Sequence, residues 1–254
     1  MQAICTAASL RNTKLKNKPN EDYFICDDDS GIFVLLDGVS RDGNENNYPN
    51  PSPSAIISEI VANTVYQYLK RSDMITREVE SVLIEAVSYG NDAAKEYNEN
   101  NIDYFLPGTV GIIAVIKNSI LYYLYIGDCV GRFINENEQH IFTHEQTKLI
   151  SENQKYFSKR EVRVNVCNNI FHPYKYGVIN GESAAVSFAE LGSIILQAGD
   201  RVIISSDGME NYLKTLSVKQ LRENTADGFI KEARMFNNKN SDDRTIICID
   251  LKED

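Results

Sequence analysis

The sequence has few features of a membrane protein, a secreted protein or a nucleic-acid-binding protein. None of its 254 residues belongs to an apolar run approaching the roughly 20 residues that a membrane helix requires. The N-terminus lacks the basic start and apolar core of a secretory signal. With 26 basic against 36 acidic residues the formal net charge is −10, and the basic residues form no stripe that would attract a phosphate backbone. We expect a soluble, cytoplasmic protein that binds neither membrane nor nucleic acid.

The cysteines lack the spacing of a disulfide framework or a zinc site. There are five, an odd number, scattered along the chain with no C-x-x-C pair: Cys5, Cys26, Cys129, Cys167 and Cys248. Because no cysteine has a close partner in sequence, the pattern favours free thiols in a reducing compartment.

Length and composition predict one domain over residues 1–254. A prior of about 150 residues per domain allows one or two. The two candidate breaks, at 44–53 and 155–181, are too short and too ordered in composition to be interdomain linkers.

The apolar pattern predicts helices flanking antiparallel strands. Apolar residues recur at helical spacing over 54–71 and 76–98, and a capping box at Ser217 and Gln220 precedes a further helix from Ala226 to Phe236. Asn118-Ser119 predicts a hairpin turn between two strands. Short β-branched and aromatic runs predict strands at 23–26, 32–36, 110–116, 121–126, 202–205 and 245–250. This order favours an α+β layered architecture.

Acidic residues occur at the ends of several of these strands. Asp37-Gly38, Asp128 and Asp207-Gly208 follow three apolar strands, and Asp242-Asp243 precedes a fourth. Aspartate and glycine favour turns, so each motif alone has a purely structural explanation. Repetition at rigid strand ends instead favours a metal or catalytic site.

The register of the first hairpin supports a cation site. If DDDSG, residues 27–31, forms a five-residue loop, Cys26 pairs with Ile32 and Glu21 lies opposite Asp37. Like charges at that spacing repel, so the fold must raise a pKa or bind a cation. Because no histidine or cysteine accompanies the carboxylates, the expected ion is Mg²⁺ or Mn²⁺.

The order of these motifs resembles that of the metal-dependent protein phosphatases, the type 2C serine/threonine family. The resemblance covers about residues 11–251. Its motifs are Asn20-Glu21-Asp22 before a hairpin into LLDG, Pro107-Gly108-Thr109, YIGDCVGR, GDRVIISSDGMENYL and SDDRTIICIDL. It implies a four-layer αββα sandwich of two antiparallel sheets flanked by helices.

The resemblance also implies a site with two Mn²⁺ or Mg²⁺ ions and a third, weaker one. Asp37 would bridge two ions, and Asp22 would orient the attacking water, which makes these the implied catalytic residues. The other implied metal ligands are Asp207 and Asp242 for one ion, Glu21 and the Gly38 carbonyl for the other, and Asp128 for the third.

The implied activity is hydrolysis of phosphoserine and phosphothreonine esters by a water activated between the metals. The implied partners are phosphorylated proteins and a cognate kinase. One position departs from the family: Asn17, flanked by Lys16 and Lys18, stands where an arginine usually grips the substrate phosphate. Substrate selectivity is expected in residues 155–187, which carry no readable motif.

Two other readings stay open. The missing arginine fits a catalytically weak or silent phosphatase-like module that binds a regulatory partner, although such a module has no reason to keep repulsive carboxylates. Alternatively, the chain is an acidic structural domain with unrelated Asp-Gly turns, which would bind no metal tightly.

Overall fold

The computed structural model describes residues 1–15, 17–41, 48–236 and 242–253, and ten strands lie within them. Lys16 and residues 44–47 of the candidate break at 44–53 fall outside these residues. The strands are β1 (Gln2–Leu10), β2 (Tyr23–Asp27), β3 (Ile32–Gly38), β4 (Thr109–Lys117), β5 (Ile120–Ile126), β6 (Val130–Ile134), β7 (Gln139–Ile141), β8 (Glu190–Ile195), β9 (Arg201–Ser205) and β10 (Arg244–Lys252).

The helices are two long ones in the first half and several short ones. They are α1 (Pro53–Arg71), α2 (Val79–Asn100), α3 (Lys148–Asn153), α4 (Lys159–Glu161), α5 (Glu210–Leu213), α6 (Val218–Glu223) and α7 (Ala226–Met235). Within the described residues, no helix is both long enough and apolar enough to cross a bilayer.

The strands form two five-stranded sheets, ordered β1-β10-β9-β6-β7 and β2-β3-β4-β5-β8, and the strands pair antiparallel throughout. Side chains alternate between the two faces of a strand, so each sheet contributes to two cores. In β3, Phe33 and Leu35 face the other sheet, whereas Ile32, Val34 and Leu36 face the helices.

Three hydrophobic clusters separate four layers. The central cluster joins the sheets through residues such as Ile112 and Ile247. A second packs β2–β5 against α1 and α2, and a third packs β9 and β10 against α5–α7. The αββα sandwich is therefore confirmed.

Two short sequence motifs form the local structures that they predict. Asn118 and Ser119 form a two-residue turn with φ of 51° and 61°, the left-handed values of a tight hairpin turn. Ser217 and Gln220 form the expected reciprocal capping box at the start of α6.

Four strands were not predicted: β1, β6, β7 and β8. In β1 the sequence QAICTAASL offers small residues in place of a β-branched run. Strand β8 alternates half-buried and exposed residues, and β6 contains Gly131 and a buried Arg132. Tertiary pairing, rather than local propensity, specifies these strands.

The predicted register of the first hairpin is wrong by one residue. Ile32 pairs with Asp27 and not with Cys26, which pairs with Phe33 instead. At the other end of the ladder, Tyr23 pairs with Leu36. Continuing the ladder places Asp22 opposite Asp37, and Gly38 donates its backbone N–H to the Glu21 carbonyl at 3.1 Å. A one-residue slip moves every side chain to the other face of the sheet. The slip therefore exchanges the surroundings of Glu21 and Asp22.

Cys5 and Cys26 form a disulfide, so the expectation that all five cysteines are free thiols is wrong. The bond links β1 of one sheet to β2 of the other. The pairing could not be predicted from the sequence, because the two residues are 21 positions apart and come together only when the two sheets pack. Cys129, Cys167 and Cys248 are buried free thiols.

Thiol titration of protein purified without reductant tests this arrangement. We expect the native protein to react slowly with a thiol reagent, because its three free thiols are buried and burial raises the pKa of Cys248 to about 12. Unfolding without reductant should expose three thiols, and unfolding after reduction should expose five. Five reactive thiols without reductant would show that the bond does not form.

Candidate functional site

The acidic strand ends meet at one cavity of about 230 Å³. Asp37 lies near the end of β3, Asp128 between β5 and β6, Asp207 just after β9, and Asp242 just before β10. The two sheets therefore both contribute carboxylates to the same cavity wall. The four aspartates therefore line one cavity, and their roles as metal ligands stay predictions.

Asp37 is half-buried in this wall, and its surroundings disfavour its charge. Burial raises the pKa of Asp37 well above its usual value, and the charges of Asp22 and Asp207 raise it further. Asp22 occupies the place that the sequence analysis gave to Glu21.

Asp22 is a buried carboxylate with an incomplete set of partners. Ser206 donates its hydroxyl to Oδ2 at 2.9 Å. The other oxygen, Oδ1, is fully buried and has no hydrogen-bond partner among the described residues. Burial, followed by the charge of Asp243, raises the pKa of Asp22 to about 7. Such an orphaned oxygen indicates a site that needs a further donor or a cation.

Asp128 is held by a threonine that also lines the cavity. Thr147 donates its hydroxyl to Oδ2 of Asp128 at 3.0 Å. Burial is the main cause that raises the pKa of Asp128.

The glycines that follow Asp37 and Asp207 permit close backbone contact. A Cβ at Gly38 would lie 2.7 Å from the Glu21 carbonyl oxygen, and one at Gly208 would lie 2.0 Å from the Asp243 carbonyl oxygen. Neither glycine has a positive φ. The Asp-Gly motifs therefore bring strand ends together and are not explained by a left-handed turn.

The Glu21 side chain is tied into a network of protein donors. Its carboxylate accepts hydrogen bonds from Ser40 and Tyr48, each at 2.8 Å, and from Ser52. It is 1% exposed and is not part of the cavity wall. The expected role of Glu21 as a metal ligand would require it to leave these donors, and that role stays a prediction.

Lys18 supplies the positive charge next to Glu21. Its Nζ lies 3.0 Å from Glu21 Oε2, forms a short contact with Asp243 and lies 3.7 Å from Asp242 Oδ1. Burial alone would lower the pKa of Lys18, but the carboxylates of Glu21, Asp243 and Asp242 raise it above its usual value. Lys18 is therefore an internal cation of the acid cluster.

This network was not predicted from the sequence. Asp243 also accepts the backbone N–H groups of Asn12 at 2.5 Å and of Glu21 at 3.0 Å, so it fastens the N-terminal segment to β10. A lysine three residues before a glutamate was the available signal, but Lys18 was considered only as a neighbour of Asn17.

Much of the remaining lining of the cavity comes from residues 147–176. Its described polar and apolar members include Thr147, Ile150 and Phe157, and its basic members are Lys159 and Arg163. Part of the segment expected to set selectivity therefore lines the same cavity as the acids.

The oxygen donors at this cavity fit Mg²⁺ or Mn²⁺ in their chemistry. They are carboxylates from four strand ends, with the orphaned Asp22 Oδ1 beside them. Among the described residues, no three histidine, cysteine or acidic side chains are already gathered closely enough to form a ligand group.

A comparison with known families identifies the family to which the chain belongs. The sequence profile described as Protein phosphatase 2C matches residues 12–242, so the chain belongs to that family. PP2C-type phosphatases are metal-dependent enzymes acting on phosphoproteins. No curated protein is similar enough in sequence to count as a match.

Solved structures share the fold at low sequence identity. The serine/threonine phosphatase PstP/Ppp of Mycobacterium tuberculosis superposes with a TM-score of 0.74 and 18% identity over 100% of both chains. A PstP catalytic domain in complex with two manganese ions gives 0.74 and 19% over 99% of both chains. Stp1 of Staphylococcus aureus gives 0.72 and 16% over 100% of this chain and 96% of that one.

Proposed function

We propose that this chain is a metal-dependent serine/threonine protein phosphatase, a phosphoric monoester hydrolase formed by one domain spanning residues 1–254. It acts in the cytoplasm on phosphorylated proteins whose phosphate a cognate kinase adds. The observation that carries the proposal is the meeting of Asp37, Asp128, Asp207 and Asp242 at one cavity within a phosphatase-family fold. Unrelated Asp-Gly turns would not converge in this way.

The residues proposed to hold two Mn²⁺ or Mg²⁺ ions are Asp37, Asp207, Asp242 and the Gly38 carbonyl, with Asp128 for a third. Glu21 is proposed as a further ligand, although its carboxylate does not line the cavity. Bound there, divalent ions supply Lewis-acid charge that lowers the pKa of a water and neutralises phosphate oxygens. The mutual repulsion of the aspartates favours occupancy of the site by cations.

The chain itself positions the reacting water and encloses the phosphate. Asp22, with Oδ2 fixed by Ser206 and Oδ1 without a described partner, is placed to accept a hydrogen bond from that water. Ile150, Phe157 and Val162 give the cavity an apolar part that limits the entry of bulk water. No cysteine is needed, because Cys129 is buried and burial raises the pKa of its thiol well above the usual value.

Phosphate release from synthetic peptides tests the proposal. We expect the purified protein to release phosphate from phosphothreonine and phosphoserine peptides when Mn²⁺ is added, and a chelator to abolish release. A phosphotyrosine peptide is the control and should be a poor substrate. Lack of release from a panel of such peptides with Mn²⁺ and Mg²⁺ would contradict the proposal.

The second candidate is a silent regulatory module, and Asn17 in place of the usual arginine is the observation in its favour. Calorimetry separates the two functions. A silent module would bind Mn²⁺ at the same carboxylates without releasing phosphate, whereas the phosphatase does both.

A further inference from the structure

Arg163 is a buried arginine beside the cavity whose described hydrogen-bond acceptors are uncharged. It is 8% exposed and lies in the π-helical turn Val162–Val166. Its Nη2 donates to the Ser40 carbonyl at 3.3 Å, and its Nη1 lies 3.9 Å from Cys167 Sγ. Both contacts are long, so they use little of the donor capacity of a guanidinium.

Two other buried arginines are neutralised by carboxylates, Arg132 by Glu210 and Arg201 by Asp250. The half-buried Arg41 pairs with Asp103. Arg244 is also buried, donates to the Ala233 carbonyl at 2.6 Å and, unlike Arg163, does not line the cavity.

The carboxylate whose charge acts on Arg163 is already paired with another cation. Glu21 interacts with Arg163 through space, but its charge is matched by Lys18 at 3.0 Å. Leaving a guanidinium buried without its own anion is costly. Fold stability alone does not explain this arginine, whereas an anionic ligand in the cavity would.

The positions of the charges define what such a ligand must be. The aspartates line the cavity together with two basic residues, Arg163 and Lys159. Lys159 is half-buried, and its Nζ approaches the Arg41 carbonyl at 3.5 Å. A phosphoryl group fits such a cavity, because its oxygens can face both cations bound by the aspartates and the two basic residues. Lys18 cannot serve in this way while its ammonium is enclosed by Glu21 and Asp243.

We infer that Arg163, which lines the same cavity as the aspartates, binds the phosphoryl group of the substrate, with Lys159 adding a second positive charge. This role rests on the proposed phosphatase function and supplies the contact that the family usually takes from an arginine at the position of Asn17. A guanidinium at the cavity can donate two parallel hydrogen bonds to phosphate oxygens, which a lysine cannot.

The test compares Arg163→Met with Arg163→Lys and a matched control, Arg160→Met. Arg160 is three residues away but exposed, and its guanidinium lies over the Tyr104 ring at 3.7 Å. We measure KM and kcat for a phosphothreonine peptide, the inhibition constant of inorganic phosphate, Mn²⁺ affinity by calorimetry and the melting temperature.

For Arg163→Met we expect KM and the phosphate inhibition constant to rise by about tenfold or more, the scale of a charge-assisted hydrogen bond. Arg163→Lys should lie between it and the wild type, and Arg160→Met should match the wild type. Mn²⁺ affinity should not change. The melting temperature of Arg163→Met should stay the same or rise, because a buried, unpaired charge has been removed. If Arg163 had only a structural role, its replacement by methionine would lower the melting temperature.

The outcomes separate this inference from the proposed function. If the wild type releases phosphate and Arg163→Met keeps KM and phosphate inhibition within about twofold of it, against the tenfold expected, the inference fails and the function stands. If the wild type releases no phosphate, the function fails. Calorimetric titration of inorganic phosphate into the Mn²⁺-loaded protein then still decides the inference, because equal affinity in the wild type and Arg163→Met would overturn it.

Discussion

Replacing Lys18 by methionine should lower the free energy of unfolding by about 3–5 kcal/mol, the cost of leaving buried charges without their partner. Methionine keeps the length of the side chain but removes the ammonium that lies between Glu21 and Asp243, both nearly fully buried. For a chain of this length the melting temperature should fall by roughly 10 °C. Thermal unfolding in chelator-treated buffer measures the effect without a contribution from bound metal.

The matched control is the double variant Lys18→Met/Asp243→Asn. Asparagine keeps an oxygen that can accept hydrogen bonds from the backbone N–H groups of Asn12 and Glu21. It also removes one of the two carboxylate charges that Lys18→Met leaves unpaired. The double variant should therefore recover at least about 1 kcal/mol relative to Lys18→Met, a coupling expected of residues in direct contact. A Lys18→Met protein that melts like the wild type would show that the ammonium is not enclosed as described.

Replacing Asp37 by asparagine should reduce phosphate release by about a thousandfold or more, because charge stabilisation by bound metal is worth several kcal/mol and each 1.4 kcal/mol is tenfold. Stability should move in the opposite direction. The raised pKa of Asp37 shows that its ionised form is unfavourable in the metal-free fold, so a neutral side chain should hold or raise the melting temperature.

Addition of Mn²⁺ distinguishes this result from simple misfolding. Wild-type protein should become more stable as Mn²⁺ is added, because the ion binds only the folded state, and Asp37→Asn should lose most of that gain. Asp92→Asn, an exposed aspartate on α2, is the control and should behave like the wild type in both assays. Full activity in Asp37→Asn would remove this aspartate from the proposed site.

Local sequence patterns predicted most of the architecture. The long helices, the Asn118-Ser119 hairpin and the capping box at Ser217 each depend on neighbours within a few residues, and all are present. Strands such as β8 depend on pairing with distant partners, and the sequence alone does not show them. The family resemblance supplied the arrangement of layers.

Four of the residues expected at the site line one cavity, and their roles as metal ligands stay predictions. Aspartates at strand ends converge because the topology brings those ends to one edge. The surroundings of Glu21 and Asp22 were exchanged because loop length was assumed, and one residue reverses every side chain of a strand. Arg163 had no local signal, since its turn belongs to a segment without a motif.

The cavity lies on the seam between the two sheets. Asp37 belongs to the sheet that carries α1 and α2, whereas Asp207 and Asp242 flank strands of the other sheet. A cation shared by these side chains would therefore link the two sheets. The packing of the central core sets the distance between the sheets and hence the spacing of the carboxylates. Core residues far from the cavity would in this way change the affinity for the metal.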